Sequence, residues 1–483
     1  MSALRGEPWV ATKSLPAMPD SIGCVSRSHS TMNTSLTAHI FRVAWTIFFV
    51  GAAILPPSLH GQTIELLHSF GSFGGTNGIR PDAALTLGND GNFYGTTFRG
   101  GMLDHGTIFR ITAAGVLTRL FSFGWTNGAV PLAALVQGSD GNFYGTTYQG
   151  GAAGGHGTIF KITTNGLLTT LVSFNGTNPA GRSPYGQLLE TSDGSFYGTT
   201  ASGGTYDAGT VFKVTPNGTF TSLVSFNFTN GAGVVAGLIR GNDGDFYGTA
   251  EGGGAYGGGT VFRLTPTGNL TTLLSFAGAD GAEPEGSLLQ TSDGNFYGTT
   301  SEGGPDGVGT VFRMTPSGVL TTLAFFNQTN TGFPSSGLIQ GQDGNLYGTT
   351  QGSEDDYGAV FKVMTNGVLA LLVSFNGTNG AYPSGLILGK DGNFYGTTLF
   401  GGANNEGTVF RIVMPVLHVA KSGNQIVLSW STNAVGFTLQ SALSLTWPAN
   451  WVEVTNAPAL FGGQWAVTNT FSGDAKFYRL RNP

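Results

Sequence analysis

The sequence predicts an all-β protein of stacked four-stranded sheets, on three observations. A nine-residue stretch, "SDGNFYGTT", stands at 139–147 and again at 292–300, with close copies "SDGSFYGTT" at 192–200 and "NDGDFYGTA" at 242–250. The Asp-Gly pairs recur at Asp90, Asp140, Asp193, Asp243, Asp293, Asp343 and Asp391, so the spacings are 50, 53, 50, 50, 50 and 48 residues. Periods of about 40–50 residues belong to propeller blades or helical arrays. Composition decides between them: every unit is rich in glycine, threonine and β-branched residues, and none has a 3.6-residue apolar period. The 80 glycines have no three-residue period, which excludes collagen. A chain with 12 % aromatic and only 10 % charged residues can bury apolar surface, which excludes disorder.

Taken in order, the chain opens with an export signal. Arg42 precedes "VAWTIFFVGAAILPP", an apolar run too short for a comfortable membrane span. Cleavage is expected between Gly61 and Gln62, and Met32 gives a leader of ordinary length if it is the true start. The rival reading is an uncleaved anchor helix. No later segment is apolar enough to span a bilayer. The one cysteine, Cys24, lies in the leader, so the mature chain has no disulfide and no thiol chemistry.

Each unit reads as four strands. In residues 131–174 these are "PLAALVQG", "NFYGTTYQGG", "GTIFKITTNG" and "LLTTLVSF". The Asp-Gly pair suits a tight hairpin, because a primed turn needs positive φ and glycine supplies it. Ile159, Phe160 and Ile162 place apolar groups on both faces of the third strand, so the sheet is covered on both sides. First-to-third strand sets occur seven times, the last at 383–413, but fourth strands follow only six of them. The missing one precedes the array as "IELLHSF", residues 64–70. The expected architecture is therefore a seven-bladed β-propeller over 62–413, closed by its N-terminal strand, which removes open sheet edges. An open β-solenoid is the rival.

The ordered pattern Asp-Gly, Tyr-Gly-Thr, Gly-Gly, Gly-Thr-aliphatic-Phe resembles the Gloeo-Verruco ("GloVer") tandem repeat of secreted bacterial proteins. The sixth unit departs from it, with "QGSEDDYGAVFKV". The second-strand motif also looks like that of NHL- or kelch-like propellers. The resemblance implies export and a surface location, and no known reaction.

Residues 414–483 leave the repeat and read as five or six strands of a small β-sandwich. Trp430, Trp447, Trp451 and Trp465 supply its core. It resembles the fibronectin-like modules of secreted bacterial proteins and serves sorting, attachment, glycan contact or simple capping.

The whole-chain charge is −6. Residues 1–61 hold four of the 21 Lys/Arg and two of the 27 Asp/Glu, leaving 17 against 25, a balance of −8. That is no footprint for nucleic acid. In a propeller the Asp-Gly and "TPxG" turns share one face, and the loops between second and third strands and between blades share the other. The first face is monotonous; the second varies from unit to unit, and variable loops on a rigid scaffold usually hold the function. The candidate ligand residues there are His105 and His156 in matching places, and the carboxylates Asp104, Asp207, Asp306, Glu354, Asp355, Asp356 and Glu406. Tyr185, Tyr206, Tyr256, Tyr357 and Tyr382 are the stacking rings, and Arg80 and Arg182 the anion clamps. Rings beside hydrogen-bonding groups suit a glycan first and a protein second, at the surface of a monomeric exported protein. A solvated rim is the bland alternative. No zinc motif or catalytic metal cluster is legible. "DGD" at 243–245 and "EDD" at 354–356 offer oxygens to calcium, although the former reads better as a turn. No catalytic residue is assigned: there is no nucleophile elbow, and a glycosidase or lyase using acids near the axis is the alternative function, with a structural protein of the cell envelope the third.

Overall fold

The computed structural model describes residues 62–483 apart from 73, 177–179, 328–330, 353–355, 365, 423–424, 432–436, 445–449, 471–475 and 482–483. The expected leader lies outside the described residues, as do Glu354, Asp355 and Trp447. The chain divides into Met1–Pro56 and Pro57–Pro483, and all described residues belong to the second unit. Among them there is no α-helix, and no helix is long and apolar enough to cross a membrane. The one helical turn is a 3-10 turn at Trp125–Asn127.

The described residues of 63–413 form seven antiparallel sheets. In the second, Val136–Gln137, Phe143–Thr147, Thr158–Ile162 and Leu168–Ser173 pair in sequence order. The last sheet differs. Its order is Thr63–Ser69, Thr408–Val413, Phe394–Phe400, Ala381–Leu388, so one strand comes from far upstream. Thr63 lies opposite Val413 and Ser69 opposite Thr408. Arg411 clasps Glu65 across this pair, with Nε 3.0 Å from Oε2.

The first strand is shorter than "PLAALVQG" suggests: only Val136–Gln137 makes a ladder. The preceding residues bond sideways instead. The carbonyl of Ala133 accepts from the Thr96 hydroxyl of the preceding sheet, as Ala236 does from Thr199 (3.0 Å), Ser336 from Thr299 (3.0 Å) and Ala83 from Thr397 (2.8 Å). The second threonine of each pair faces inward along its own sheet; Thr147 Oγ1 lies 2.8 Å from Thr158 Oγ1.

The repeated Asp-Gly-Asn-x-Tyr has a single local logic. Gly141 takes φ 80°, in the left-handed region that glycine enters without a steric penalty. Asp140 then accepts four bonds: from the Asn142 backbone (3.0 Å), the Asn142 amide (2.8 Å), the Tyr144 hydroxyl (2.9 Å) and the Lys161 ammonium (2.8 Å). Burial alone would raise its pKa, but the bonds from Lys161, Asn142 and Tyr144 hold the carboxyl well below the usual range. On the other side of the bond, burial and Asp90 push the Tyr94 hydroxyl up to about 12.

That tyrosine also makes the seam between sheets. Tyr94 stacks on Phe143 at 4.0 Å and Tyr144 on Phe196 at 4.0 Å, while Tyr197 meets Phe246 at 4.3 Å and Tyr247 meets Phe296 at 4.2 Å. The same contact joins the last sheet to the first, Tyr395 to Phe93 at 4.1 Å. The core is correspondingly divided into clusters between neighbours. One holds Tyr94, Ile108 and Phe123 of the first unit with Leu135, Phe143 and Phe160 of the second. Gly145 sits mid-strand because a Cβ there would strike Phe160 and Leu135 of that packing.

The C-terminal residues form two sheets. One contains His418–Ser422, Gln425–Ser431, Gln464–Thr470 and Ala459–Phe461; the other contains Val452–Glu453, Thr438–Ala442 and Phe477–Arg481. These seven strands exceed the five or six expected. Leu428, Trp430, Leu439 and Val467 make the small core, and Trp465 packs on it from a half-buried position. Trp451 is not core: the Arg479 guanidinium lies over its ring at 4.2 Å.

If the tyrosine carries both turn and seam, truncating it in two steps separates the contributions. Tyr247→Phe is expected to cost about 1 kcal/mol, for the lost hydrogen bond. Tyr247→Ala should cost about 3–5 kcal/mol, for the emptied seam. Urea denaturation of the three proteins checks both.

Candidate functional site

Six of the residues singled out from the sequence occupy one repeated backbone contact. The carbonyls of His105, His156, Ala208, Gly258, Val308, Tyr357 and Glu406 each accept an N–H from the next inter-sheet loop. The donors are Val130, Ser183, Gly233, Glu283, Phe333, Tyr382 and Arg80, at 2.7–3.0 Å. All seven donors have φ between 53° and 66°, and six are not glycine. Such strain costs on the order of 1 kcal/mol per residue and persists only where surrounding contacts over-determine it. His105 and His156 match because the fold repeats their backbone, while their side chains are free to differ.

Several candidate side chains hold the loops. Asp104 and Asp207 also have positive φ, and their carboxylates accept the N–H of Gly100 (2.8 Å) and Gly203 (2.7 Å). Asn405 does the same for Gly401. Asp356 accepts from Gly358 at 3.1 Å. The two arginines are already engaged. Arg80 pairs with Glu406 at 2.9 Å and lies over Phe400, and Arg182 pairs with Asp207 at 2.7 Å. Tyr382 meets Phe400 edge-on at 5.8 Å. Asp306, Tyr206, Tyr256 and Tyr357 are exposed.

Two groupings escaped the sequence. The first surrounds Tyr185, where the inner segments of the sheets converge. A Cβ on Gly286 would strike the Ser336 backbone, and one on Gly385 would strike Ala84. Tyr185 meets Tyr148 edge-on at 5.9 Å. Burial first, then the carboxylates of Asp82, Glu285 and Glu251, push its hydroxyl up. The oxygens of Glu251, Glu283 and Glu285 lie within 4.8 Å of one another, an arrangement that suits a hard divalent cation. The Ser301 hydroxyl donates to Glu285 at 3.3 Å. Asp82 is part-buried, and burial pushes its carboxyl up to about 7. Nothing local marks these four acids, since they come from three different units.

The second grouping is on the rim. His105 lies 5.6 Å from the ring of Trp125, a residue outside every repeated motif. Its signal was available: Trp125 is the sole tryptophan of residues 62–413.

The family model described as the Gloeobacter/Verrucomicrobia repeat matches residues 54–242 and 235–446. No curated protein matches the chain. Among solved structures it is similar to the extracellular domain of a hybrid two-component system from B. thetaiotaomicron, at 13% identity and a TM-score of 0.48, covering 87% of this chain and 55% of that one. It is also similar to PorZ, a surface component of the type-IX secretion system of Porphyromonas gingivalis, at 11% identity and a TM-score of 0.48, covering 85% and 60%. A gluconolactonase of Xanthomonas campestris matches at 12% identity and a TM-score of 0.39, covering 74% and 92%. The chain thus spans little over half the length of the first of these.

Asp82 gives the site a pH signature. Its folded carboxyl keeps a proton up to about 7, whereas an unfolded one loses it near 3.8. The folded state binds more protons between those values, so this group's contribution to stability falls as pH rises through that window. Asp82→Asn is expected to raise Tm by a few degrees at about pH 8 and to leave it unchanged near pH 4. Thermal melts across that range decide it, and an effect equal at every pH contradicts desolvation of Asp82.

Proposed function

Because the chain belongs to the Gloeobacter/Verrucomicrobia repeat family, we propose that it is an exported, non-enzymatic binding protein whose ligand, a glycan, sits on the variable-loop face of a seven-bladed propeller. In this reading residues 62–413 are the propeller, 414–483 a separate sandwich and 1–61 the leader. The seven sheets are its blades, and Thr63–Ser69 closes the ring. The pairing of that strand with Thr408–Val413 supports closure, as do the Tyr395–Phe93 seam and the Thr397 bond to Ala83.

One observation carries the assignment of the ligand face. Trp125, Tyr206, Phe228, Tyr256 and Tyr357 are exposed large rings, and all lie on the loops of that face. The fold does not need them. Gly176, Gly278 and Gly377 stand where other units place Trp125 and Phe228, and Asp306 and Asn404 stand where others place Tyr206 and Tyr256. On the opposite face the recurring aspartates spend their oxygens on their own turns and tyrosines. Flat rings amid Asn, Asp and Arg suit the apolar faces and hydroxyl edges of sugars.

A second reading, a carbohydrate-active enzyme, is favoured by Asp82. A carboxylic acid still protonated near neutral pH, grouped with Glu251 and Glu285 around Tyr185, is the pairing an acid–base glycosidase uses.

The exported protein is to be screened on a glycan array with and without calcium, and the array re-analysed for cleaved products. Binding without turnover is the expected result. Tyr256→Ala should then weaken it about threefold to tenfold. Glycans neither bound nor altered under any condition would overturn the reading, whereas turnover abolished by Asp82→Asn would establish the enzyme instead.

A further inference from the structure

The tryptophan on the rim goes further than the general reading of the face, although it rests on it. We propose that Trp125 is the stacking platform of a sugar-ring subsite between the first and second units, with His105 beside it to hydrogen-bond the ring's hydroxyls.

The backbone under Trp125 is fixed. Gly124 donates its N–H to the Asn127 side chain at 2.9 Å, and the carbonyl of Trp125 accepts from Gly151 at 2.7 Å. The indole is pinned from one side as well. Gly155, from the loop of the second unit, lies so close that a Cβ there would sit 3.1 Å from the six-membered ring. With φ 83°, that residue is glycine for conformation as well as space. Trp125 is nonetheless 47% exposed. A tryptophan kept for packing is covered, as Trp430 is at 2%.

The repeat supplies an internal control. In three units a ring in the His105 position faces the next loop at the Trp125 position. The His156 ring lies where a side chain on Gly176 would go, and the Tyr357 ring flanks Gly377. The scaffold therefore accepts glycine at both of those places, and an indole at 125 answers some other demand. Its surroundings identify the demand. His105 is tilted 60° to the indole, and the exposed Arg99–Asp104 pair, 3.5 Å apart, adjoins His105 in the same loop. A flat apolar face edged by donors and acceptors complements a pyranose, whose C–H face stacks while its hydroxyls reach sideways. A rigid ring on a fixed backbone also binds with little loss of conformational freedom.

The test uses the exported protein and a panel of defined hexaoses: cellohexaose, xylohexaose, chitohexaose and laminarihexaose. Calorimetry with the wild type selects those that bind. Trp125→Ala should then lose affinity about tenfold or more, while Trp125→Phe keeps most of it. Melting temperatures of both variants should stay within about 2 °C of the parent, because the position tolerates glycine elsewhere. Sugar should also blue-shift the tryptophan emission of the parent, and that shift should vanish in Trp125→Phe. Hexaose binding that Trp125→Ala leaves untouched would overturn the subsite and leave the wider reading standing. Failure of every hexaose to bind the wild type would overturn both. Capture of a protein that depends on Trp125, with no sugar bound, would replace the ligand class.

Discussion

The tyrosine–aspartate bond beneath six of the seven turns is the constraint on which the rest of the array depends; in the third unit Asp193 takes Ser195 and Lys213 instead, and Tyr197 keeps only the seam. The carboxylate that closes the Asp-Gly turn also receives the tyrosine hydroxyl four residues on, as in Asp140 to Tyr144 and Asp391 to Tyr395. Held at one end, the ring presents its face to a phenylalanine of the neighbouring sheet. One side chain thus fixes a hairpin and a seam together. A chain with no disulfide among residues 62–483 gains cohesion by repeating that junction from sheet to sheet. The sixth sheet tests the rule: Leu346 replaces the phenylalanine, and Tyr297 packs on it in the same kind of cluster.

Much of this architecture was legible because it is local. The Asp-Gly turn, the doubly buried third strand and the missing fourth strand could all be read from spacing and residue type. The short first strand could not, because its carbonyls are taken by threonines 37 residues earlier or, at Ala83, from the far end of the array. The Asp140–Tyr144 bond was equally hidden. The motif displayed both residues without saying that one holds the other.

The site was less legible, and its particular residues explain why. Asp104 and Asp207 look like spare carboxylates but serve as loop clasps, a duty that Asn405 performs equally well. Arg80 and Glu406 looked like separate ligand groups 326 residues apart, and they meet as a pair. Asp82, Glu251, Glu283 and Glu285 gather around Tyr185 only because the inner segments converge, which no window of sequence reveals. Trp125 was visible as an exception to the repeat. Residues that recur in type report what the fold needs, whereas a departure from the repeat carries more information about a site.

The strand borrowed from the N-terminus has a mechanical consequence. Thr63 faces Val413 at one end of the pairing and Ser69 faces Thr408 at the other. Tension applied at residues 63 and 413 would therefore peel the hydrogen bonds one by one, starting from the loaded end. It would not shear them as a group. The seams between sheets are loaded together, whereas this pairing is loaded one bond at a time.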